Sequence, residues 1–302
     1  MSVLAIVAAL LLEQWRPLAD RKSFAGALGG VARALEHSFN GGERRHGAVA
    51  WLVAVVPAVA GVIVLHALLY AASPLLALAF NVAALYLTLG FRQFSHHFTA
   101  IQLAIKAGDV DKARQELDAW RGASGVVRSR EEVIRLAIEE ALIASHRHVF
   151  GVLLWFVILP GPSGAILYRL AAYLAVRWQE SGAFGEFARR AFRVLDWPAV
   201  RLTAAAFAVV GDFEDAVYCW RTQARSWADP NAGVVLAAGA GAMGVRLGMP
   251  VQEMEAVRAR PELGVGEPAD GPFLDSAVGL VWRALVLWVF VLIVISVVRL
   301  AG

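Results

Sequence analysis

A run of forty-four residues without a formal charge, from Ala48 to Phe91, limits the fold of this chain more than any other feature. A helix needs ~20 apolar residues to cross a bilayer, so the run is long enough for two spans. Ser73 and Pro74 interrupt the run near its middle. We therefore expect a transmembrane hairpin, in which two helices are joined by a tight turn at these two residues.

The composition agrees with a membrane protein. Of the 302 residues, 59% are hydrophobic and 18% are charged, whereas soluble domains average ~45–50% and ~25%. No Ser/Pro/Gly-rich or highly charged linker divides the chain, so we expect a single membrane domain over residues 1–302. The single cysteine, Cys219, excludes an intramolecular disulfide.

The apolar run Val3–Leu12 is too short for a full span and lacks preceding positive residues, so it does not resemble a cleaved signal peptide. We expect it to lie at the membrane interface or to pack into the helix bundle.

Basic residues on both sides of the hairpin orient it. The segment 92–147 contains nine Lys or Arg residues, and the segment 14–47 contains Arg16, Arg21, Lys22, Arg33, Arg44 and Arg45. Excess Lys and Arg stay on the cytoplasmic side, so we expect both flanks in the cytoplasm and Ser73 outside. Residues 92–147 then form a cytoplasmic helical insertion.

The insertion has the pattern of soluble helices. Residues 98–121 carry apolar residues at helical spacing, interrupted at "AGD", where Asp109 is a candidate N-cap of a second helix. A further amphipathic helix is expected from Glu131, with its inward residues at Val133, Ile134, Ala137, Ile138 and Ala141. We expect these helices to form a cap.

The second half contains broken apolar segments. "LPGPSG" interrupts the segment 149–176, which predicts either a re-entrant hairpin or two tilted half-helices. The small-residue segment 231–245 is short for a span, whereas Ala277 to Val298 is long enough for a terminal one. The expected fold is all-α, a polytopic helical membrane protein with a cytoplasmic cap and broken helices.

A G-x-G-x-x-G pattern occurs at Gly239, Gly241 and Gly244. It marks a dinucleotide site when a strand precedes it and a long helix follows, but Val245 to Gly248 leaves about one helical turn before Pro250. The favoured interpretation is that these small residues let helices approach closely.

Four arginines lie inside apolar stretches, and a guanidinium there must pair, snorkel or face a cavity. Snorkelling to headgroups is the ordinary outcome, while convergence on one cavity would create an anion site. The four are Arg169, Arg201, Arg246 and Arg283.

Other polar groups give no motif of an enzyme. The spacing of His96 with His97, and of His146 with His148, does not suit a metal site on one helix. Glu139 and Glu140 lie one turn from Arg135, which favours a solvated helix face with i, i+4 pairing.

Four stretches, "AGDVDKARQELDAW", "RLAIEEALIASHRHVFGVLLWF", "VLDWPAVRLTAAAFAVVGDFEDAVYCW" and "DPNAGVVLAAGAGAMGVRLG", together resemble the CobD/CbiB superfamily, which includes AmpE. The resemblance covers residues 80 to 250. For a synthase member it implies ATP- and Mg²⁺-dependent joining of an aminopropanol arm to adenosylcobyric acid in cobalamin biosynthesis. For an AmpE-like member it implies an inner-membrane protein associated with β-lactamase induction.

The polar residues of the synthase pattern are changed in this chain. Aligned without gaps from Arg135, the synthases' Glu-Asn pair falls on Ile143 and Ala144 and their next Asp on Arg147. Their G-R-D-T stretch falls on Gly122 to Gly125, and their Asn-Thr-Leu-Asp run falls near Ala172 to Ala175. Acidic ligands for Mg²⁺ are therefore missing at these positions.

The favoured hypothesis is a non-synthase, AmpE-like binding or regulatory protein of the bacterial inner membrane with an anion-accommodating pocket. Its partners would be the lipid bilayer and an anionic small molecule, with a possible homo-oligomer and no nucleic acid, metal or cofactor. The candidate ligand-binding residues are Arg201, Asn231, Gly233, Arg246, Trp155 and Arg169.

Two alternatives stay open. A divergent adenosylcobinamide-phosphate synthase would use Mg-ATP with its carboxylates moved elsewhere, and a structural scaffold would have no pocket lined by Arg201 and Arg246. The candidate carboxylates of the synthase alternative are Asp196, Asp212, Glu214 and Asp215.

Overall fold

The computed structural model describes residues 2–15, 21–122, 128–253 and 256–301. Its helices are α1 (Ser2–Trp15), α2 (Arg21–Phe39), α3 (Arg44–Ala72), α4 (Pro74–Thr88), α5 (Phe91–Lys106), α6 (Val110–Arg121), α7 (Arg130–Ser145), α8 (Gly151–Ile158), α9 (Ser163–Arg177), α10 (Gly182–Val210), α11 (Phe213–Thr222), α12 (Pro230–Met243) and α13 (Gly271–Ala301). Single turns of π-helix and 3₁₀-helix lie at His146–Phe150 and Ala224–Ser226. The expected all-α class is confirmed.

In the part of the chain that the structure describes, three helices are long and apolar enough to cross a membrane: Arg44–Ala72, Arg130–Ile158 and Gly271–Val298. The first and third bury little of their apolar windows, 11% and 22%, so most of these side chains face outward, as lipid contact requires. The long apolar helix expected over the terminal stretch is therefore present, and its crossing of a membrane stays a prediction. Cytoplasmic placement of the 92–147 segment stays a prediction.

The tight turn expected at Ser73 is present and joins α3 to α4, but α4 has 15 residues and is not among the helices long enough to span a membrane. The second span of the expected transmembrane hairpin therefore stays a prediction. The Ser73 N–H donates to the Leu69 carbonyl at 2.8 Å, and the Ser73 hydroxyl accepts from the Leu75 N–H at 3.3 Å. This one residue therefore ends α3 and caps α4, whose first residue is Pro74. Proline suits the first position of a helix because a backbone N–H there has no partner within the helix, so its absence costs nothing.

The described chain divides into two compact units. The first unit comprises Met1–Leu89 and Gly151–Pro198. In it α1 packs on α4, which agrees with the expected packing of the N-terminal run into a bundle, and α9 packs on α3. A core cluster forms around Trp178 and Phe184, which are fully buried.

The break at "LPGPSG" produces a helical hairpin in the first unit. Helix α8 ends at Ile158, α9 begins at Ser163, and the two helices pack on each other. A Cβ on Gly164 would collide with the Trp155 carbonyl, so glycine permits this close approach. However, α8 continues directly from α7 through the π-helical turn, so the apolar segment does not begin a new helix at residue 149.

The second unit comprises Gly90–Phe150 and Ala199–Gly302. The expected helix-turn-helix is present, because the Asp109 carboxylate caps α6 by accepting from the Lys112 N–H at 3.0 Å. The five inward residues expected in the next helix, α7, are all buried. Helix α12 packs on α11 and α7.

Within the described residues, five short strands follow α12, where the sequence predicted no strand. They are β1 (Val245–Gly248), β2 (Val251–Glu253), β3 (Ala256–Arg258), β4 (Glu262–Leu263) and β5 (Glu267–Pro268). β1 pairs antiparallel with β4 and parallel with β5, and β2 pairs antiparallel with β3. The helical turn expected at Val245–Gly248 was wrong: Gly244 ends α12 in the left-handed conformation, with φ of 67°.

The G-x-G-x-x-G pattern is a packing feature. Gly239 and Gly241 lie inside α12, with a helix before the pattern and a strand after it, the reverse of a dinucleotide fingerprint. A Cβ on Gly239 would lie 2.8 Å from the Leu142 side chain, and one on Gly241 would collide with the Asp215 carbonyl. The small residues let α7 and α11 approach, as expected.

Candidate functional site

The six predicted ligand-binding residues occupy several elements. Trp155 on α8 and Arg169 on α9 belong to the first unit, where the Trp155 indole N–H donates to the Leu195 carbonyl at 3.0 Å. Arg201 lies half-buried on α10 in the second unit. The remaining three lie on or after α12.

Asn231 and Arg246 are separated by most of the length of α12. Asn231 is in its first turn and is buried, and its N–H donates to Asp229 at 3.1 Å. Arg246 lies beyond Met243, the last residue of the helix, which is about 18 Å from Asn231 along the helix axis. Its side chain lies 3.5 Å from Glu262. These two predicted residues therefore do not share one pocket.

Gly233 has a packing role. A Cβ at this position would collide with the Ala224 carbonyl and lie 2.8 Å from Cβ of Trp227. Any larger residue would push the 3₁₀ turn away from α12. Glycine thus positions the Trp227 segment, which does line a cavity.

A charged cavity lies in the second unit, which we call the α7–α12 cavity. It encloses about 380 Å³. Three arginines, two carboxylates and one indole supply its polar and aromatic wall, and α12 contributes two apolar residues. Its lining residues are Arg121, Glu139, Glu140, Ile143, Arg147, Ser226, Trp227, Ala228, Ala232, Leu236, Ala259, Arg260 and Pro261.

A buried ion pair between Glu139 and Arg260 forms one wall. The two guanidinium nitrogens donate to the two carboxylate oxygens at 2.8 and 3.2 Å, and the Gly248 N–H donates to the carboxylate at 2.9 Å. The side chains are 7% and 12% exposed. The expected solvated face with Arg135 was wrong for Glu139, because β1 and the chain before β4 cover it.

The same guanidinium is fixed from two further directions. Arg260 donates to the carbonyls of Met249 and Gly248, both at 3.1 Å. Its central carbon lies 5.0 Å from the Trp227 ring centroid, a distance at which the ring face attracts a cation. Arg260 is therefore a rigid wall residue with its donors already committed.

Two other arginines are more available to a ligand. Arg121 lies 3.2 Å from Glu140, and one of its terminal nitrogens is buried without a hydrogen-bond partner. Arg147 lies 3.7 Å from Asp229, and both side chains are more than a third exposed. An exposed pair at this distance is weak, so an incoming anion can replace the carboxylate.

The donor set of the cavity fits phosphate or carboxylate oxygens better than a bare metal ion. Arginine is the side chain best suited to such anions, whereas Mg²⁺ requires carboxylate and water oxygens. Both Glu139 oxygens are occupied by Arg260 and Gly248. Within the described ranges, no group of three His, Cys, Asp or Glu residues could hold a metal.

The histidine pairs have other contacts. His97 stacks on Trp120 at 6.2 Å and lies 3.4 Å from Glu116. His146 is buried, with its Nδ1 2.9 Å from the Thr203 hydroxyl.

The carboxylates proposed for a relocated synthase site do not approach Asn231 within the second unit. The Asp212 N–H donates to the Ala242 carbonyl at 3.0 Å, which is about 16 Å along α12 from Asn231. Glu214 and Asp215 occupy the following turn of α11. Asp196 belongs to the first unit and accepts from the Tyr168 hydroxyl at 2.7 Å.

One signal in the sequence did point to the cavity. Ile143 and Arg147, onto which the synthases' acidic positions fall, both line it. Arg260 and Trp227 could not be found in this way, because they come from turns distant in sequence. Of the G-R-D-T equivalents, Gly122 ends α6 in the left-handed conformation, and residues 123–125 lie outside the described residues.

The similarity of this chain to known proteins extends over both units. The family model described as CobD/Cbib protein matches residues 6–298. "Cobalamin biosynthesis protein CobD" of Stutzerimonas stutzeri is 36% identical over 298 residues, 96% of each chain, and the protein of the same name from Chromobacterium violaceum is 35% identical over 95% of this chain and 94% of its own. That of Mycobacterium tuberculosis is 30% identical over 67% of each chain. No solved structure matches significantly. The chain belongs to the CobD/CbiB family.

Proposed function

We propose that this protein acts in cobalamin biosynthesis as an adenosylcobinamide-phosphate synthase, joining an aminopropanol arm to a corrinoid carboxylate with Mg-ATP as a substrate. The observation that carries the proposal is the end-to-end similarity to relatives named for cobalamin biosynthesis. These names favour the synthase alternative over the AmpE-like, non-synthase hypothesis, for which the comparisons offer no support.

The α7–α12 cavity supports the proposal chemically. Forming an amide from a carboxylate with ATP requires cationic groups that hold phosphate and carboxylate oxygens as negative charge develops. Arg121 and Arg147 supply such groups at the wall of the cavity. Arg260, which is held by Glu139 and Trp227, keeps the wall in place.

The attacking amine must lose a proton, and a carboxylate near the arginines can accept it. Glu140 lines the cavity, and Asp229 lies beside it through Arg147. In this proposal they take the place of the acidic residues that the family pattern puts at Ile143 and Arg147. Mg²⁺ would enter with the nucleotide, because this ion is commonly held by substrate phosphates with one or two carboxylates.

We also propose a location in the bacterial inner membrane with several spans. The apolar windows of α3 and α13 support membrane insertion, and the excess of Lys and Arg before α3 supports a cytoplasmic start of that helix. The synthase substrates would then be reached from the cytoplasm.

The test is product formation by membranes that contain the full chain. Membranes would be incubated with adenosylcobyric acid, aminopropanol phosphate and Mg-ATP, and the amide followed by mass spectrometry beside an active synthase. We expect product from the wild type, roughly 100-fold less from Arg147→Gln through loss of an oxyanion-stabilising group, and unchanged product from Arg221→Gln. Arg221 is an exposed arginine of α11 outside the cavity. No wild-type product beside the active control would reject the proposal and restore the non-synthase hypothesis.

A further inference from the structure

The π-helical turn at His146–Phe150, which follows α7, is fixed against α10 by two of its side chains. His146 and Phe150 lie four residues apart and are both buried. The Nδ1 of His146 lies 2.9 Å from the Thr203 hydroxyl, and the Phe150 ring meets the Phe207 ring edge-on at 5.9 Å. Thr203 and Phe207 are also four residues apart, so they lie one turn apart on the same side of α10. The turn therefore packs along one side of that helix at two points.

A second contact gives the direction of the hydrogen bond between His146 and Thr203. The Thr203 hydroxyl donates its one proton to the Ala199 carbonyl at 2.9 Å. The hydroxyl oxygen is then an acceptor for the ring, so the Nδ1 of His146 carries a proton and donates it to this oxygen. The two side chains are 2% and 0% exposed, and removing one partner of a buried hydrogen bond leaves the other unsatisfied at a cost in free energy. This bond is therefore a firm anchor for the turn.

Arg147 is the residue of the turn that faces the α7–α12 cavity. It continues the cavity side of α7, because Glu140, Ile143 and Arg147 line the cavity at i, i+3 and i+7. Its pair with Asp229 has a distance of 3.7 Å between partly exposed side chains, which is too weak to hold the guanidinium in place. The direction of Arg147 therefore depends on the backbone of the turn, which the neighbouring His146 anchors.

We propose that His146 is a positioning residue for the synthase function proposed above, on which this inference rests. Through its bond to Thr203 it holds the π-helical turn so that the Arg147 guanidinium points into the cavity. Turns of this kind are rare and occur frequently at functional sites. Accurate placement matters chemically, because a displacement of about 1 Å at a group that binds substrate is enough to lower a rate about 100-fold.

The test is a double-mutant cycle between His146→Leu and Arg147→Gln, measured on the full chain in detergent. The first measurement is the dissociation constant of inorganic pyrophosphate, by isothermal titration calorimetry. We expect each single variant to weaken pyrophosphate binding about tenfold, as for the loss of one hydrogen bond to a charged group. The double variant should bind no more weakly than Arg147→Gln alone, because His146 acts through that arginine.

The second measurement is the rate of amide formation in the same four proteins. We expect His146→Leu to lower kcat about 100-fold in the wild-type background and to lower it no further in the Arg147→Gln background. A variant that only unfolds the protein would instead reduce the active fraction by the same factor in both backgrounds. The non-additivity therefore separates positioning from a loss of stability.

Conservative variants test the hydrogen bond itself. His146→Asn places an amide N–H near the position of the ring Nδ1 and should keep most of the pyrophosphate binding. Thr203→Val removes the acceptor with little change in volume and should reproduce the effect of His146→Leu. The matched control is His96→Leu, at an exposed histidine of α5 outside the cavity lining, which should bind like the wild type.

Equal weakening of pyrophosphate binding by His146→Leu in both backgrounds would overturn the proposal, even if the wild type forms the amide. A wild type that does not bind pyrophosphate would also contradict it, because Arg147 would then hold no anion in the cavity. Absence of amide from the wild type rejects the synthase function instead, and the pyrophosphate cycle then decides whether His146 positions Arg147.

Discussion

The two faces of α12 differ in what packs against them. On the side toward α11 and the 3₁₀ turn, Gly233 and Gly241 let neighbouring backbone atoms pack directly against α12. We call this contact the closed seam. Toward α7, Ala232 and Leu236 border a cavity of about 380 Å³ with charged walls. A single apolar helix therefore serves both tight packing and a candidate active site: Gly233 and Gly241 lie on the packed face, and Ala232 and Leu236 lie on the face that borders the cavity.

The largest loss of stability is expected from removing the ion pair between Glu139 and Arg260 in the wall of the cavity. Glu139→Ala leaves Arg260 buried without its partner, which costs about 3–5 kcal/mol of unfolding free energy. Thermal unfolding in detergent, followed by circular dichroism, would measure the loss. Glu139→Leu combined with Arg260→Leu should be less destabilising than Glu139→Ala, and equal losses would contradict the ion-pair account.

A smaller loss of unfolding free energy is expected from adding a side chain to the closed seam. Gly241→Ala places a Cβ against the Asp215 carbonyl, and such overpacking costs about 1–3 kcal/mol. The control is Gly279→Ala in α13, where no heavy atom lies within 4 Å of the added Cβ. That variant should be neutral or slightly stabilising, because alanine favours helix over glycine. Equal behaviour of the two variants would refute the closed seam.

The smallest effect concerns pH and the buried Cys219 on α11. Burial, together with nearby Asp215, raises the pKa of this thiol from 9.0 to about 11. The unfolded chain ionises first, so stability from the neutral thiol is complete below pH 9 and is lost as pH rises through about 11. The free energy of unfolding, measured with urea across this pH range, should fall more steeply with pH in the wild type than in Cys219→Ala. Identical slopes would place the thiol in a more solvated site.

The sequence predicted the parts of the fold that depend on local pattern. The uncharged run with Ser73 and Pro74 specified a hairpin, and Asp109 specified a helix start. The β-strands after Gly244 were missed because each has only two to four residues, too few for a periodic pattern.

The candidate site was harder to predict. Glu139 appeared to belong to a solvated face, because the strands and Arg260 that bury it come from more than a hundred residues later. Arg201 and Arg246 drew attention as arginines in apolar stretches, yet Arg246 and the further candidate Asn231 lie at opposite ends of α12. The resemblance located the cavity through Ile143 and Arg147, but proximity of Trp227 and Arg260 depends on tertiary contacts.

The most direct measurement of the central claim is amide formation by a variant in which the cavity is filled. Ala232→Leu adds an apolar side chain to the cavity face of α12 and should leave the melting temperature close to that of the wild type. The account predicts wild-type amide product, its loss in Ala232→Leu, and its retention in Arg221→Gln. Full activity of folded Ala232→Leu would contradict a role for the α7–α12 cavity, and absence of product from the wild type beside an active synthase would contradict the synthase function itself.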